Sequence, residues 1–190
     1  MKRFDAKAIL EIACRFYVFF FLMAYGLGKI FGGQFYTPSN IPAQIAAMPI
    51  GQAPDFELAW IFMGRSFGYT LFIGIAEIIG ACLLLSNKTK LIGTLILIPI
   101  MVNVIVFDIF FLDTYGALAS ATLYLLMLFT ILVFNKEKIG KVLRELLGTK
   151  SPLRKSFKEK IIQYSIVLAL IALIFIGDQV IVNLLGHGKG

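Results

Sequence analysis

The chain has 190 residues, 59% of them hydrophobic and only 15% charged, with 18 Phe and 7 Tyr, and its mean hydropathy is +0.87. Soluble domains run at roughly 45–50% apolar and about 25% charged, so this composition excludes disorder, and a pair of cysteines, Cys14 and Cys82, excludes a disulfide-built scaffold. Much of the net charge of +7 collects at 136–160 beside apolar runs, with no helix patterned for a DNA groove and no zinc-finger spacing; nucleic acid is excluded as a partner, and the class is integral membrane protein.

A helix needs about 20 mainly apolar residues to cross the hydrocarbon, and five stretches meet that length. The first is 9–31; Lys2, Arg3 and Lys7 precede it as in a secretory leader, but it is long, holds Arg15 and lacks a clean small-residue cleavage site, so it reads as a permanent span. The loop 33–54 follows, with Pro38, Pro42, Pro49 and Pro54, and its segment Ile41–Met48 has the apolar content for two turns of interfacial helix. It reads either as a lid over an outward-facing cavity or as an ordinary re-entry loop. Pro54-Asp55-Phe56-Glu57 is a helix start with acids in the first turn. The second span is 66–86; a single helix from 55 to 86 would exceed the bilayer, so its first turns are expected to protrude or to lie in the interface. The third span is 90–112, containing Pro99, and the fourth is 116–134. Residues 136–147 place Ile139, Val142, Leu143, Leu146 and Leu147 at helical spacing among basic residues, the pattern of an amphipathic surface helix, before the breaker Gly148-Thr149-Lys150-Ser151-Pro152. The fifth span is 161–185.

Lys and Arg alternate between the connections. Lys2, Arg3 and Lys7 precede span one, Lys88 and Lys90 separate spans two and three, and nine lie in 135–160, including Lys136, Lys138, Lys150, Arg154 and Lys155. The other side carries Lys29 and Arg65 near the first loop and Lys189 at the end. The positive-inside rule puts the N-terminus in the cytoplasm and the C-terminus outside; the membrane expected is a bacterial inner membrane. The domain division expected is a core at 1–134, a basic connection at 135–160, and a fifth span with a short tail at 161–190.

Polar residues inside the spans are the candidate functional positions: Arg15, Tyr25, Lys29, Arg65, Tyr69, Glu77, Asn103 and Asp108. Charge facing lipid is expensive, so these side chains are expected to face the bundle interior. At 1.5 Å per residue, Arg15 lies roughly 9 Å from the inner edge, Glu77 roughly 14 Å, Asn103 roughly 20 Å and Asp108 roughly 27 Å. These depths predict an inner cluster, with Arg15 paired to Glu77 and Glu11 one turn before Arg15, and an outer one of Asp108 with Lys29 and Arg65. Glu77 is either part of a proton, quinone or lipid site or half of a structural lock. Tyr17 and Tyr124 are explained by the aromatic belt or the core, and Gly64 with Gly68 reads as a small-residue helix contact. Cys14 and Cys82 read as buried small hydrophobes, His187 as no metal ligand, and Asp178 as an outer-cluster or head-group residue. No catalytic residue, metal set or cofactor motif stands out.

Arg15-Phe16-Tyr17 with Tyr25-Gly26-Leu27-Gly28-Lys29-Ile30-Phe31, the Phe72–Leu85 run FIGIAEIIGACLLL, Lys88-Thr89 with Gly93, and Met101-Val102-Asn103-Val104 resemble the DoxX-like membrane proteins over 9–134. The resemblance implies an all-α, four-helix membrane bundle with Arg15, Tyr25, Lys29, Glu77 and Asn103 lining its interior; the fifth span departs from the plain four-helix form. Family members are linked to thiosulfate:quinone oxidoreduction or membrane redox homeostasis. Three functions are compatible with the chain: an accessory subunit of a quinone-linked redox complex, a small transporter or lipid- or solute-binding protein with an outward polar cavity, and a non-catalytic scaffold. The implied partners are membrane lipids, a membrane protein, and a quinone- or lipid-like ligand; no cofactor is assigned.

Overall fold

A computed structural model describes residues 5–112, 115–148 and 156–185. The described residues form helices without a strand: α1 Ala6–Ile30, α2 Ala43–Ala46, a 3-10 turn at Ile50–Gln52, α3 Asp55–Gly64, α4 Phe67–Leu85, α5 Lys90–Phe111, α6 Tyr115–Phe134, α7 Lys136–Leu147 and α8 Phe157–Leu185. Five of them (α1, α4, α5, α6 and α8) are long and apolar enough to cross a membrane. Lys2, Arg3, Lys150, Arg154, Lys155, His187, Lys189 and residues 149–152 of the expected breaker lie outside the described residues.

The chain divides into two compact units, Met1–Lys141 and Val142–Gly190. In the first, α1 packs on α4, α4 on α5, α5 on α6, and α6 returns to α1. The ring closes over Val18, Leu22, Leu84, Leu97, Leu128 and Ile131, each essentially inaccessible, with Cys14, Ala81, Met101 and Tyr124. Outward, Phe20, Phe72 and Phe110 leave 62–71% of their surface open. An apolar exterior around a packed interior is what a hydrocarbon solvent requires, and this is a polytopic helical membrane protein. In the second unit α8 begins with Glu159 reaching back to the Ser156 N–H at 2.8 Å, one half of a capping box.

Local chemistry sets the ends. Asp5 caps α1 by accepting from the Lys7 N–H at 3.0 Å. At the other end Gly32 adopts φ +73°, so that the Gly33 N–H reaches the Gly28 carbonyl at 2.8 Å and the Gly32 N–H that of Lys29 at 3.3 Å; this left-handed turn is what a residue with a Cβ resists. The run from 55 to 86 is not one helix. It breaks at Arg65-Ser66, where Ser66 is extended and its hydroxyl accepts from the Tyr69 N–H, capping α4. The expected two-turn helix at 41–48 is a single turn, Ala43–Ala46, because Pro42 and Pro49 bound it.

Glycines decide how close the helices come, but not the expected pair. Gly68 meets nothing nearer than the Ser66 hydroxyl at 3.9 Å, and Gly64 abuts the backbone of Tyr36 in the first loop. The helix contacts use Gly26 and Gly74, where a Cβ on either would sit 2.8–2.9 Å from the other's carbonyl oxygen, and Gly80 with Gly93, where a Cβ on Gly93 would meet the Gly80 oxygen at 2.7 Å. Cys82 is also corrected: it is exposed on the outer face, while Cys14 is buried.

Gly93→Ala is expected to destabilise the α4–α5 contact by about 1–3 kcal/mol, because the obstructing atoms are backbone and cannot swing aside. Gly28→Ala, which meets nothing within 4 Å, is expected to be neutral or to gain up to about 1 kcal/mol. Unfolding of both variants in mixed micelles checks this, and equal losses would refute the packing assignment.

Candidate functional site

The polar side chains separate into two clusters toward opposite ends of α1. The first surrounds Arg15, 4% exposed. Its Nε donates to the Leu84 carbonyl at 2.5 Å, Nη2 to that of Leu85 at 2.6 Å, and Nη1 to Asn87 Oδ1 at 2.7 Å. The two carbonyls belong to the last turn of α4, where no intrahelical donor exists and a cation complements the helix dipole. Glu11 lies 3.6 Å from Arg15 and accepts from Lys90 at the start of α5. Its other oxygen accepts from Asn135, at 2.9 Å, and Asn135 also donates to the Ile131 carbonyl at 2.9 Å. One network thus staples α1, α4, α5 and α6, and it consumes its donors and acceptors internally.

The expected Arg15–Glu77 pair does not form. Glu77, 2% exposed, instead receives Lys29 Nζ on both oxygens, at 2.9 and 2.7 Å. The reason is side-chain direction. α1 and α4 are antiparallel, with Arg15 beside Leu84 and Gly26 beside Gly74. Side chains lean toward their own helix N-terminus, so Lys29 and Glu77 lean toward each other, while Arg15 and Glu77 lean apart. In this register the Cα atoms of Lys29 and Glu77 are offset by roughly 9 Å along the axis, which the two side chains span.

Beside the Lys29–Glu77 pair lies a cavity of about 610 Å³, within the range of about 300–1,000 Å³ common to small-molecule sites. Lys29, Glu77, Tyr25, Tyr69, Asn103 and Asp108 all line it. The Tyr25 ring centroid is 5.9 Å from Lys29 Nζ. Asp108 is 6% exposed; it interacts electrostatically with Lys29, and its carboxylate has no hydrogen bond among the described residues. Of the eight candidate positions, Arg15 belongs to the staple, and Arg65 is exposed at the α3–α4 break without lining the cavity. The expected approach of Asp108 to Lys29 holds, and Arg65 takes no part.

The space exists because α4 and α6 present small residues to it: Ala76, Ala117, Ser120 and Ala121. Its roof is aromatic. Phe56 stacks on Trp60 at 4.2 Å, Phe35 meets Trp60 edge-on at 5.4 Å, and Phe107 lies 6.3 Å from Trp60. The sequence reading missed these residues, although Phe56, Trp60 and Met63 recur at helical spacing along α3. It also missed Gln34, which lines the cavity and whose Oε1 is buried without a hydrogen-bond partner. Among the described residues no three His, Cys, Asp or Glu side chains gather as a metal set; the polar wall consists of hydrogen-bonding and ionic groups suited to the head of an organic molecule.

No family model and no solved structure matches the chain. Over 131 residues it is 32% identical to the uncharacterized protein YwoB of Bacillus subtilis (strain 168); the match covers 69% of this chain and 80% of that one. The chain belongs to the YwoB family. The structure gives this YwoB-family chain a stapled end and an end with a charged, aromatic-roofed cavity.

Removing one partner of a buried ion pair strands the other charge, at a cost of about 3–5 kcal/mol. Glu77→Gln is expected to lose stability on that scale, and the triple variant K29M/E77M/D108N, which leaves neither carboxylate without its lysine, to recover most of it, whereas R15M/E77Q should show only additive losses. Recovery by the Arg15 double variant in micelle unfolding would overturn the pairing.

Proposed function

We propose that this YwoB-family chain is a lipid- or solute-binding membrane protein that takes an amphipathic molecule into its intramembrane cavity. The observation that carries this reading is a buried ion pair, Lys29–Glu77, on the wall of a cavity whose other surfaces are largely aromatic and aliphatic. Apolar walls supply affinity and a few convergent polar groups fix orientation, the usual division of labour in a ligand site. Tyr25, Lys29, Tyr69, Glu77, Asn103 and Asp108 are the ligand-facing residues in this proposal; Arg15 serves the fold.

The likeness of 9–134 to DoxX-like proteins supports a second reading, in which the ligand is a quinone and the chain is an accessory of a quinone-linked redox complex. The stacked Phe56 and Trp60 rings favour it, since flat aromatic faces suit a flat head group. The alternation of basic connections supports placement in a bacterial inner membrane with the N-terminus cytoplasmic, the Arg15 staple at the inner side and the cavity toward the outer side.

Trp60 is the single tryptophan of the chain and lines the cavity, so its emission reports occupancy directly. In nanodiscs, 12-bromododecanol or a decyl-substituted benzoquinone is expected to quench it saturably, and Ala117→Phe, which fills the cavity, to abolish the saturable component. Quenching that rises linearly and equally in both proteins would sink the binding reading, and saturation by the quinone alone would select the second one.

Orientation is tested in a C14A/C82A background in intact cells. A membrane-impermeant thiol reagent is expected to label Ser39→Cys but not Lys138→Cys; the reverse pattern would invert the topology.

A further inference from the structure

The cavity's polar inventory is unbalanced. Among the described residues its walls carry one cation, Lys29, and two carboxylates, Glu77 and Asp108. Glu77 takes two hydrogen bonds from the Lys29 ammonium, at 2.7 and 2.9 Å, leaving Asp108 with electrostatic proximity to Lys29 but no donor on its own oxygens among the described residues. Arg65, the other cation near this part of the chain, is not among the lining residues. A second acceptor, Gln34 Oε1, is buried without a donor. Both unmet needs have one sign. An acceptor withdrawn from water without a donor is costly, and a carboxylate more so, and each is best answered by a positively charged N–H group.

We propose that the molecule this cavity takes is an amphipathic amine in its protonated form, an ammonium bearing N–H donors on an apolar body, with the donors directed to Asp108 and Gln34. The proposal rests on the ligand-binding reading and names its chemical class. The alternatives each leave something unmet. A neutral alcohol can donate to Gln34 but leaves the Asp108 charge unbalanced. A quaternary ammonium balances the charge but has no N–H to give. An anion meets two carboxylates against one lysine. The aromatic walls raise no objection to a cation: Trp60, Phe56, Phe107 and Tyr25 present π-faces or edges around the space, and a cation over such a face is attracted to it. The ammonium could be the head of a membrane lipid, as in phosphatidylethanolamine, or a free single-chain amine; the chemistry at Asp108 and Gln34 is the same.

The test reads Trp60 emission of the full chain in phosphatidylcholine nanodiscs at neutral pH, with bromododecanol as the reporter quencher and unbrominated C12 compounds as competitors. Dodecylammonium is expected to displace the reporter at least about tenfold more effectively than dodecanol or dodecyl sulfate, with dodecyltrimethylammonium in between. Asp108→Asn is expected to erase the preference of dodecylammonium over dodecanol. Gln34→Leu supplies a second variant if the first fails to fold, and it should bring dodecylammonium down to the level of the trimethyl compound. Dodecanol or dodecyl sulfate competing as well as dodecylammonium would overturn the amine assignment while leaving the cavity a ligand site. Absence of any saturable reporter quenching would instead remove the binding reading beneath it. An equal loss for both ligands in the Asp108 variant would reduce that residue to a structural role and overturn the proposal. Where dodecylammonium binds as expected, competition by phosphatidylethanolamine added to the nanodisc identifies a lipid head group as the source, and its failure to compete identifies a free amine.

Discussion

A polar side chain inside a membrane bundle has to find its partner inside the bundle, because hydrocarbon supplies neither donor nor acceptor. That constraint organises the four helices of the first unit. Arg15 meets it by completing the last turn of α4, giving its donors to the Leu84 and Leu85 carbonyls and Asn87. Glu11 meets it by gathering Lys90 at the start of α5 and Asn135 just past the end of α6. The contacts are between fixed points on four helices, so they set register as well as attraction. A bundle held only by leucines can slide with little penalty, whereas sliding here would strand a guanidinium and a carboxylate in an apolar medium. The staple's value is therefore as much in specificity as in stability.

The packing beneath the cavity follows from the same economy of space. Lipid offers no strong hydrophobic drive to pull helices together, so close backbone approach and van der Waals contact carry more of the association. Gly26 with Gly74 and Gly80 with Gly93 let α4 approach its neighbours on both sides. Between these approaches the interior is filled by Leu22, Leu84, Leu97, Leu128 and Ile131. Toward the loop end the filling side chains shrink to Ala76, Ala117, Ser120 and Ala121, and Pro99 removes an N–H from the α5 ladder at the cavity wall, freeing the Leu95 carbonyl of its helical donor. One end of the bundle is packed and stapled; the other is left open by residues too small to close it.

The spans were legible because hydropathy over about 20 residues is a long-range average that no single residue can mask. Their ends depended on single residues: α1 starts at Asp5 because that side chain caps it and stops where Gly32 turns left-handed. The break at Ser66 was hidden inside an apolar stretch running from Phe56 to Leu85, and only a capping serine marked it. For the site, reading which polar residues lie within the spans brought six positions to one cavity wall: Tyr25, Lys29, Tyr69, Glu77, Asn103 and Asp108. Reading who pairs with whom failed for Glu77, since a depth scale locates Cα atoms and ignores the direction in which antiparallel side chains lean. Gln34 and Trp60 were invisible to that scale, because they come from the loop and the short helix that fold against the bundle rather than from a span.

The two ion-pair arrangements also differ in what a perturbation can reach. Around Arg15 the charges form one network, with Arg15 on the end of α4 and Glu11 holding both Lys90 and Asn135. At the cavity the charges are few, one lysine serving two carboxylates, and their surroundings include open volume rather than packed side chains. Lys29 sits in the final turn of α1, directly before the Gly32 turn and the loop that carries Gln34 and Phe35. The helix that anchors the staple at one end thus carries the cavity's lysine at its other end, and the 14 positions from Arg15 to Lys29, roughly 21 Å of helix, keep the two clusters apart.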